Sequence, residues 1–181
     1  MKSLIILANP NLESSANFIA QTYADIQIKR WNQIEIVDLY KSEQIPYLDT
    51  TADKAPSIVF GHQEKIKESD EIVFVFPIWR GDCPAILKNR FDNVLSPWFA
   101  YKYENWIPKW LLDKKAKMLI TSDWPKIFFS LFPISIKYFW KFMRLGFCWI
   151  KLTNFILFDR MRVKKKKPDW KANIISKIEK L

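Results

Sequence analysis

Two periodicities alternate along this chain. Lys2 to Ala8 (KSLIILA) and Ile72 to Phe76 (IVFVF) are short, nearly unbroken apolar runs of the kind that form strands buried on both faces. Gln33 to Leu39 (QIEIVDL) alternates apolar and polar positions, the pattern of a strand nearer the sheet edge. Lys115 to Ser122 and Cys148 to Phe158 supply a fourth and a fifth strand. Helices fall between them. Ala16 to Arg30 places Phe18, Ile19, Tyr23 and Ile26 at helical spacing behind Ser14 and Ser15, which can cap it. Ser57 to Ser69 reads as a second helix with Gly61 a weak point inside it, and Pro84 suits the first turn of a third running through Ala85-Ile86-Leu87-Lys88. A terminal helix, Asp169 to Leu181, is expected to be capped by Asp169 and to turn Trp170, Ile174, Ile175 and Ile178 inward. Strand and helix in alternation predict an α/β protein: a parallel sheet with right-handed crossovers and helices on both faces.

The remaining stretches are irregular in pattern. Tyr40 to Pro56 is polar and turn-rich, and Arg160 to Pro168 (RMRVKKKKP) reads as a basic linker. Ser96 to Leu112 carries Trp98, Phe99, Tyr101, Tyr103, Trp106 and Trp110 on what reads as a loop, so these rings must cover a ligand, line a shallow pocket or meet a second subunit. Ile127 to Leu157 is the most apolar region, but Pro133, Lys137, Lys141 and Arg144 interrupt it below the roughly 20 residues a membrane span needs. Within it, Ile136 to Arg144 (IKYFWKFMR) fits a core helix with snorkelling lysines, or an amphipathic helix lying on a membrane surface.

Length and composition narrow the picture. At 181 residues the chain is expected to be a single domain spanning 1–181. Two cysteines, Cys83 and Cys148, lack metal-ligand spacing and are too few for a disulfide framework, so no metal site and a cytoplasmic location are expected. The net charge of +10 is uneven. Residues 126–181 hold 14 Lys or Arg against 3 Asp or Glu, whereas residues 1–125 hold 15 against 16. That basic end is either a solvated face or an attraction for anionic lipid, nucleic acid, a phosphorylated cofactor or an acidic partner, including a transport protein; it carries no nucleic-acid motif, and no nucleic-acid partner is expected. His62, the only histidine, has no nucleophile or carboxylate pattern around it and reads as a solvated surface residue.

Candidate chemistry gathers where strands end, the edge at which open α/β sheets bind ligands. After the first strand, Asn9-Pro10 leads to Ser14, Ser15 and Asn17 at a helix N-terminus, where backbone N–H groups and the helix dipole favour a phosphate; the same residues also serve simply as caps. After the third come Pro77, Ile78, Trp79, Arg80 and Gly81, and after the fourth Thr121, Ser122, Asp123, Trp124 and Pro125.

Phe76-Pro77-Ile78-Trp79, Gly81, Pro84-Ala85-Ile86-Leu87-Lys88, Phe91-Asp92 and Phe99-Ala100-Tyr101, in that order and without gaps, resemble the flavodoxin-like NAD(P)H:quinone oxidoreductases, which also include drug-activity modulators and potassium-efflux ancillary proteins. The resemblance implies a flavodoxin-like three-layer sandwich with five parallel strands in the order 2-1-3-4-5. It further implies FMN or FAD, with NAD(P)H as electron donor and a quinone-like acceptor, and a homodimer formed partly by the aromatic segment. Asn9, Ser14, Ser15 and Asn17 would hold the phosphate, and main-chain donors at Trp79, Arg80 and Gly81 would meet the ring. Asn9 stands where the family has His, Arg80 where it usually has an aromatic residue, Trp149 where a glycine follows Phe147-Cys148, and the 121–125 loop lacks the family's glycines. No catalytic residue is identified, because the Tyr and His of the mammalian quinone reductases have no counterpart. A second reading is a regulatory or ancillary subunit of a membrane transport system that keeps this fold. A simple flavodoxin-type electron carrier is disfavoured, since such carriers are usually acidic.

Overall fold

The computed structural model describes residues 1–181 except 50, 52–54, 106, 111 and 132–135, together with the side chains of 107–110, 130 and 131. Among the described residues seven strands run β1 (Lys2–Leu7), β2 (Gln33–Asp38), β3 (Glu71–Pro77), β4 (Tyr101–Glu104), β5 (Ile107–Trp110), β6 (Lys114–Thr121) and β7 (Ile150–Phe158). Five of them form one parallel sheet in the order β2-β1-β3-β6-β7. Counted without β4 and β5, that is the expected order 2-1-3-4-5. The helices are α1 (Ser15–Lys29), α2 (Ser57–Glu68), α3 (Ala85–Val94), α4 (Lys126–Leu131), α5 (Ile136–Tyr138), α6 (Met161–Lys164) and α7 (Trp170–Ile178).

Alternate strand residues feed two cores, as a helix-covered parallel sheet requires. Leu4, Ile6, Ile72, Phe74, Phe76, Met118 and Ile120 face α2, α3 and the segment after α5. Ile5, Leu7, Val73, Val75 and Leu119 face α1 and α7. Every residue of β3 is buried, which is why its sequence never alternates.

The segment that follows α5 winds as a π-helix over Phe139–Leu145 and closes in a 3-10 turn over Gly146–Cys148. Trp140 on it is fully buried, stacked on Phe76 at 5.0 Å and edge-on to Phe91 at 5.1 Å, with Phe74 at 5.7 Å. The core reading of Ile136 to Arg144 therefore holds for Ile136 and Trp140, which are buried, as is Leu145 just beyond, while residues 137, 138 and 141–143 face outward. Gly146 is needed at the exit, where a Cβ would lie 2.6 Å from the Lys141 carbonyl oxygen.

Several expectations are corrected. Ser96 to Leu112 is not a loop, since β4 and β5 pair antiparallel within it; Trp106 and the side chain of Trp110 lie outside the described residues. The last strand begins at Ile150 rather than Cys148, because Trp149 takes a left-handed φ of 57°, the conformation for which the resembled family carries glycine. The basic linker contains the short helix α6, seated by the buried Met161. Asp169 precedes α7 without a side-chain cap bond; its carboxylate accepts from Asn173 Nδ2 instead. Ile174 and Ile178 are buried on α7, but Ile175 is exposed.

His62 is less solvated than expected. It is half-buried on α2, and burial, then the positive charges of Arg90 and Lys65, push its pKa down to about 4. The folded state thus keeps the imidazole neutral down to about pH 4, whereas the unfolded chain protonates it near 6.5. The unfolded state binds the extra proton between those values, so stability is expected to fall as pH drops from about 6.5 to about 4. His62→Gln should flatten that limb of a urea-midpoint profile against pH, and an unchanged limb would assign it to other groups.

Candidate functional site at the carboxyl edge of the sheet

The register brings three loops together. Leu7 lies beside Val75 and Pro77 beside Thr121, so the chain leaves β1, β3 and β6 side by side at one edge. Ala8 N–H donates to the Val75 carbonyl at 2.9 Å, and Ile78 N–H to the Thr121 carbonyl at 2.8 Å, continuing the sheet one residue into each loop.

The first loop is held by its own amides. Asn9 is buried, and its Oδ1 accepts from Asn11 N–H at 2.9 Å. Ser14 caps α1, its Oγ accepting from Asn17 N–H at 3.2 Å. The Asn17 side-chain amide donates to Ser14 Oγ at 3.0 Å and to the Asn11 carbonyl at 2.9 Å, so it shapes the loop. At the start of α1 the Asn17 N–H is spent on the cap and the Phe18 N–H on the Ser14 carbonyl, which leaves the Ser15 and Ala16 N–H groups without a backbone acceptor among the described residues and open to a ligand beside the buried Ser15. Lys165 crosses from the stretch after α6 and donates to the Glu13 carbonyl at 3.1 Å, adding a cation at this loop.

The turn leaving β3 is closed by reciprocal bonds. Trp79 N–H donates to the Asp82 carbonyl at 2.8 Å, and Asp82 N–H returns to the Trp79 carbonyl at 3.1 Å. Its two central residues have positive φ, 51° at Arg80 and 88° at Gly81. Glycine adopts that geometry freely, whereas arginine is held there at a cost of about 1–2 kcal/mol. Among the described residues the N–H groups of Arg80 and Gly81 meet no backbone acceptor, while that of Trp79 is consumed inside the turn. The Arg80 side chain is exposed.

Behind the turn stands a residue that sequence reasoning passed over. Arg144, on the π-helix, pairs with the Asp82 carboxylate and donates to Cys83 Sγ at 3.0 Å. Its guanidinium lies 4.9 Å from the Trp140 ring centre and 5.2 Å from that of Phe139. Asp82 also accepts from Cys83 N–H at 2.7 Å. The only available signal was an arginine in an otherwise apolar stretch, which reads equally well as a surface cation. Burial pushes the Cys83 thiol up to about 11, so it stays protonated at neutral pH and is no nucleophile.

In the third loop, Thr121 and Ser122 are buried. Ser122 N–H donates to the Phe158 carbonyl at 2.9 Å, and its Oγ accepts from Trp124 N–H at 3.0 Å. Asp123 is engaged at the rim, accepting from Arg162 N–H at 2.9 Å with the Arg162 guanidinium 3.5 Å away. Trp79 and Trp124 stand 45% and 61% exposed on neighbouring loops, so neither ring is packed into the edge as core.

A family profile described as a flavodoxin-like fold matches residues 1–181. The chain belongs to the flavodoxin-like fold family. An uncharacterised NAD(P)H oxidoreductase of Haemophilus influenzae is 34% identical over 129 residues, 67% of this chain and 64% of that one. The chain spans 51% of the length of a second such oxidoreductase, from Bacillus subtilis, at 32% identity and over 56% of its own length. Among solved structures, NAD(P)H:quinone oxidoreductase from Methanothermobacter marburgensis superposes with a TM-score of 0.80 at 21% identity, covering 99% of this chain and 96% of that one. An FMN-dependent NADH-azoreductase from Bacillus anthracis, solved with FMN, gives 0.77 at 20% identity over the same shares. At these identities the two structures establish the fold. No helix among the described residues is long and apolar enough to cross a membrane.

Proposed function

We propose that this flavodoxin-like protein is a flavin-dependent oxidoreductase that passes two electrons from NAD(P)H to a quinone or similar acceptor. The observation that carries the proposal is the turn between Trp79 and Asp82, whose central N–H groups are unspent beside an α1 N-terminus with unspent donors of its own. The donor set fits a flavin mononucleotide: a phosphate end supplied by α1, and a ring end supplied by Arg80 and Gly81. FMN, when bound, supplies the hydride and electron chemistry, and FAD would serve the same role.

The chain's own residues position and screen. Ser15, the first N–H groups of α1 and Lys165 hold the phosphate, with Asn9, Ser14 and Asn17 fixing the loop that presents them. Pro77 and Ile78 end β3 so that the Arg80 and Gly81 amides face a polar ring edge, and Arg80 adds a cation that favours negative charge there. Thr121 and Ser122 form the floor, Asp123 anchors the rim through Arg162, and Trp79 and Trp124 exclude water. The relatives' names support this reading, as does the likeness to a quinone oxidoreductase. The chain is further read as one domain working in the cytoplasm, with a second copy covering the exposed Trp98 and Tyr103.

Flavin titration tests the reading. The purified protein is expected to bind FMN and, once loaded, to be bleached by NADH or NADPH and recoloured by a quinone. Ser15→Asp places a carboxylate where the phosphate sits and should weaken FMN by about tenfold or more, leaving riboflavin, which has no phosphate, nearly unchanged. Equal losses for both ligands would move the phosphate site elsewhere. A colourless protein that neither takes up FMN nor oxidises NAD(P)H would replace the enzyme with the ancillary-subunit reading.

A further inference from the structure

From Trp124 to Phe158 the chain runs 35 residues without an aspartate or glutamate, while carrying Lys126, Lys137, Lys141, Arg144 and Lys151. We infer that the outward face of this segment, built by Lys137, Tyr138, Lys141, Phe142 and Met143, docks on an anionic lipid bilayer surface.

The fold makes that face by burying its opposite side. Ile136, Trp140 and Leu145 point into the core, so the intervening residues are turned to solvent, and Phe142 and Met143 stand 60% and 67% exposed. Their packing is mutual. The Tyr138 and Phe142 rings lie 7° from parallel with centres 6.3 Å apart, and Lys137 and Lys141 hold their ammonium groups 6.0 and 5.1 Å over those rings. Apolar side chains interleaved with lysines are what interfacial helices present to lipid: rings and thioether enter the headgroup boundary while the lysine heads stay with the phosphates. No acidic side chain of the segment opposes an anionic surface.

The same charge count disfavours a second copy as the cover. A two-fold contact sets a face against itself, and here it would bring Lys137 and Lys141 of both copies together with no carboxylate of the segment itself to separate them. A bilayer rich in anionic lipid has the complementary sign. The attachment inferred is peripheral, made by this face; no helix among the described residues is long and apolar enough to cross a membrane. Arg144 also ties this helix to the turn between Trp79 and Asp82, so docking would bring the candidate site near the bilayer. Docking by this face does not require a flavin in that site.

Flotation of the full chain with vesicles tests it, using phosphatidylcholine alone and phosphatidylcholine with about 30% phosphatidylserine at low salt. Binding is expected only with phosphatidylserine present and should fade as salt rises. Lys137→Gln/Lys141→Gln should weaken it about 25-fold, at roughly fivefold per lysine, and Phe142→Ser by about tenfold. Neither variant should lower the urea midpoint appreciably, since both alter exposed side chains. Lys166→Gln/Lys167→Gln, in the basic run outside this face, should keep more affinity than the 137/141 pair.

Four outcomes would overturn the inference. One is no flotation on the phosphatidylserine vesicles. Another is flotation abolished by the 166/167 pair and untouched by the 137/141 pair. A third is loss on Lys→Gln with none on Phe142→Ser, the behaviour of a simple polycation that soluble heparin would match. The last is a dimer in sedimentation equilibrium that Phe142→Ser dissolves while vesicle binding is unaffected.

Discussion

Trp140→Ala is expected to destabilise the protein by about 3–5 kcal/mol, the range for deleting a fully buried large aromatic side chain. For a chain of this size that is a fall in Tm of roughly 6–20 °C. Trp140 is fully buried among Phe74, Phe76 and Phe91, and the Arg144 guanidinium lies 4.9 Å from its ring centre. Removing the indole opens a cavity between the sheet and the π-helix and also takes away the surface that seats Arg144. Trp140→Phe should cost less, because the indole Nε1 has no hydrogen-bond partner among the described residues and nothing polar is lost with it. Urea unfolding of both variants decides the matter. A loss below about 1 kcal/mol for the alanine variant would mean the cavity refills by collapse of its neighbours.

Lys117→Met should cost a comparable amount, about 3–5 kcal/mol, for an electrostatic reason. On the α1 face of the sheet, Glu71 is buried and receives hydrogen bonds from Tyr23 Oη at 2.7 Å and Ser3 Oγ at 3.3 Å, with Lys117 Nζ 3.2 Å from its other oxygen. Lys117 also donates to Tyr23 Oη at 3.1 Å. Burial, followed by the bond to Glu71, raises the Tyr23 phenol far above its usual range, so it acts here only as a neutral donor and acceptor. Taking away the ammonium leaves a carboxylate in the core with no cation. Adding Glu71→Gln should recover much of the loss, since a neutral amide oxygen can still accept from Tyr23 and Ser3. A double-mutant cycle in urea measures the coupling. Strict additivity of the two changes would show that the pair is not what stabilises this cluster.

The strands and helices that frame the site were legible because each is long and its apolar period is clean. The unbroken run of β3 and the alternation of β2 distinguish a central from an edge strand, and the Ser14 cap marks where α1 begins. Reading failed where conformation depends on a distant partner. The aromatic stretch 96–112 folds back into a hairpin although it lacks the regular alternation of a strand, and Tyr101 there packs on Phe147 at 4.8 Å, a contact no local pattern announces. The run of lysines after Arg160 looked like a linker, yet Met161 finds a buried seat and a turn of helix forms around it. At the candidate site, the sequence located the loops and the cap, but assigned Asn17 and Trp79 as ligand donors. The structure spends the Asn17 amide on Ser14 Oγ and the Asn11 carbonyl, and Trp79 N–H on the Asp82 carbonyl.

By itself the sequence determined the layered α/β architecture and the edge at which loops gather. Periodicity and capping are local, written within a few residues of where they act. Only the tertiary structure decided which charges meet. Arg144 finds Asp82 across 62 positions of chain, Lys117 finds Glu71 across the sheet, and Lys137 and Lys141 are left facing outward because Trp140 between them is drawn into the core. A charged side chain has no preferred neighbour until packing removes water from around it, and that happens only in the folded chain.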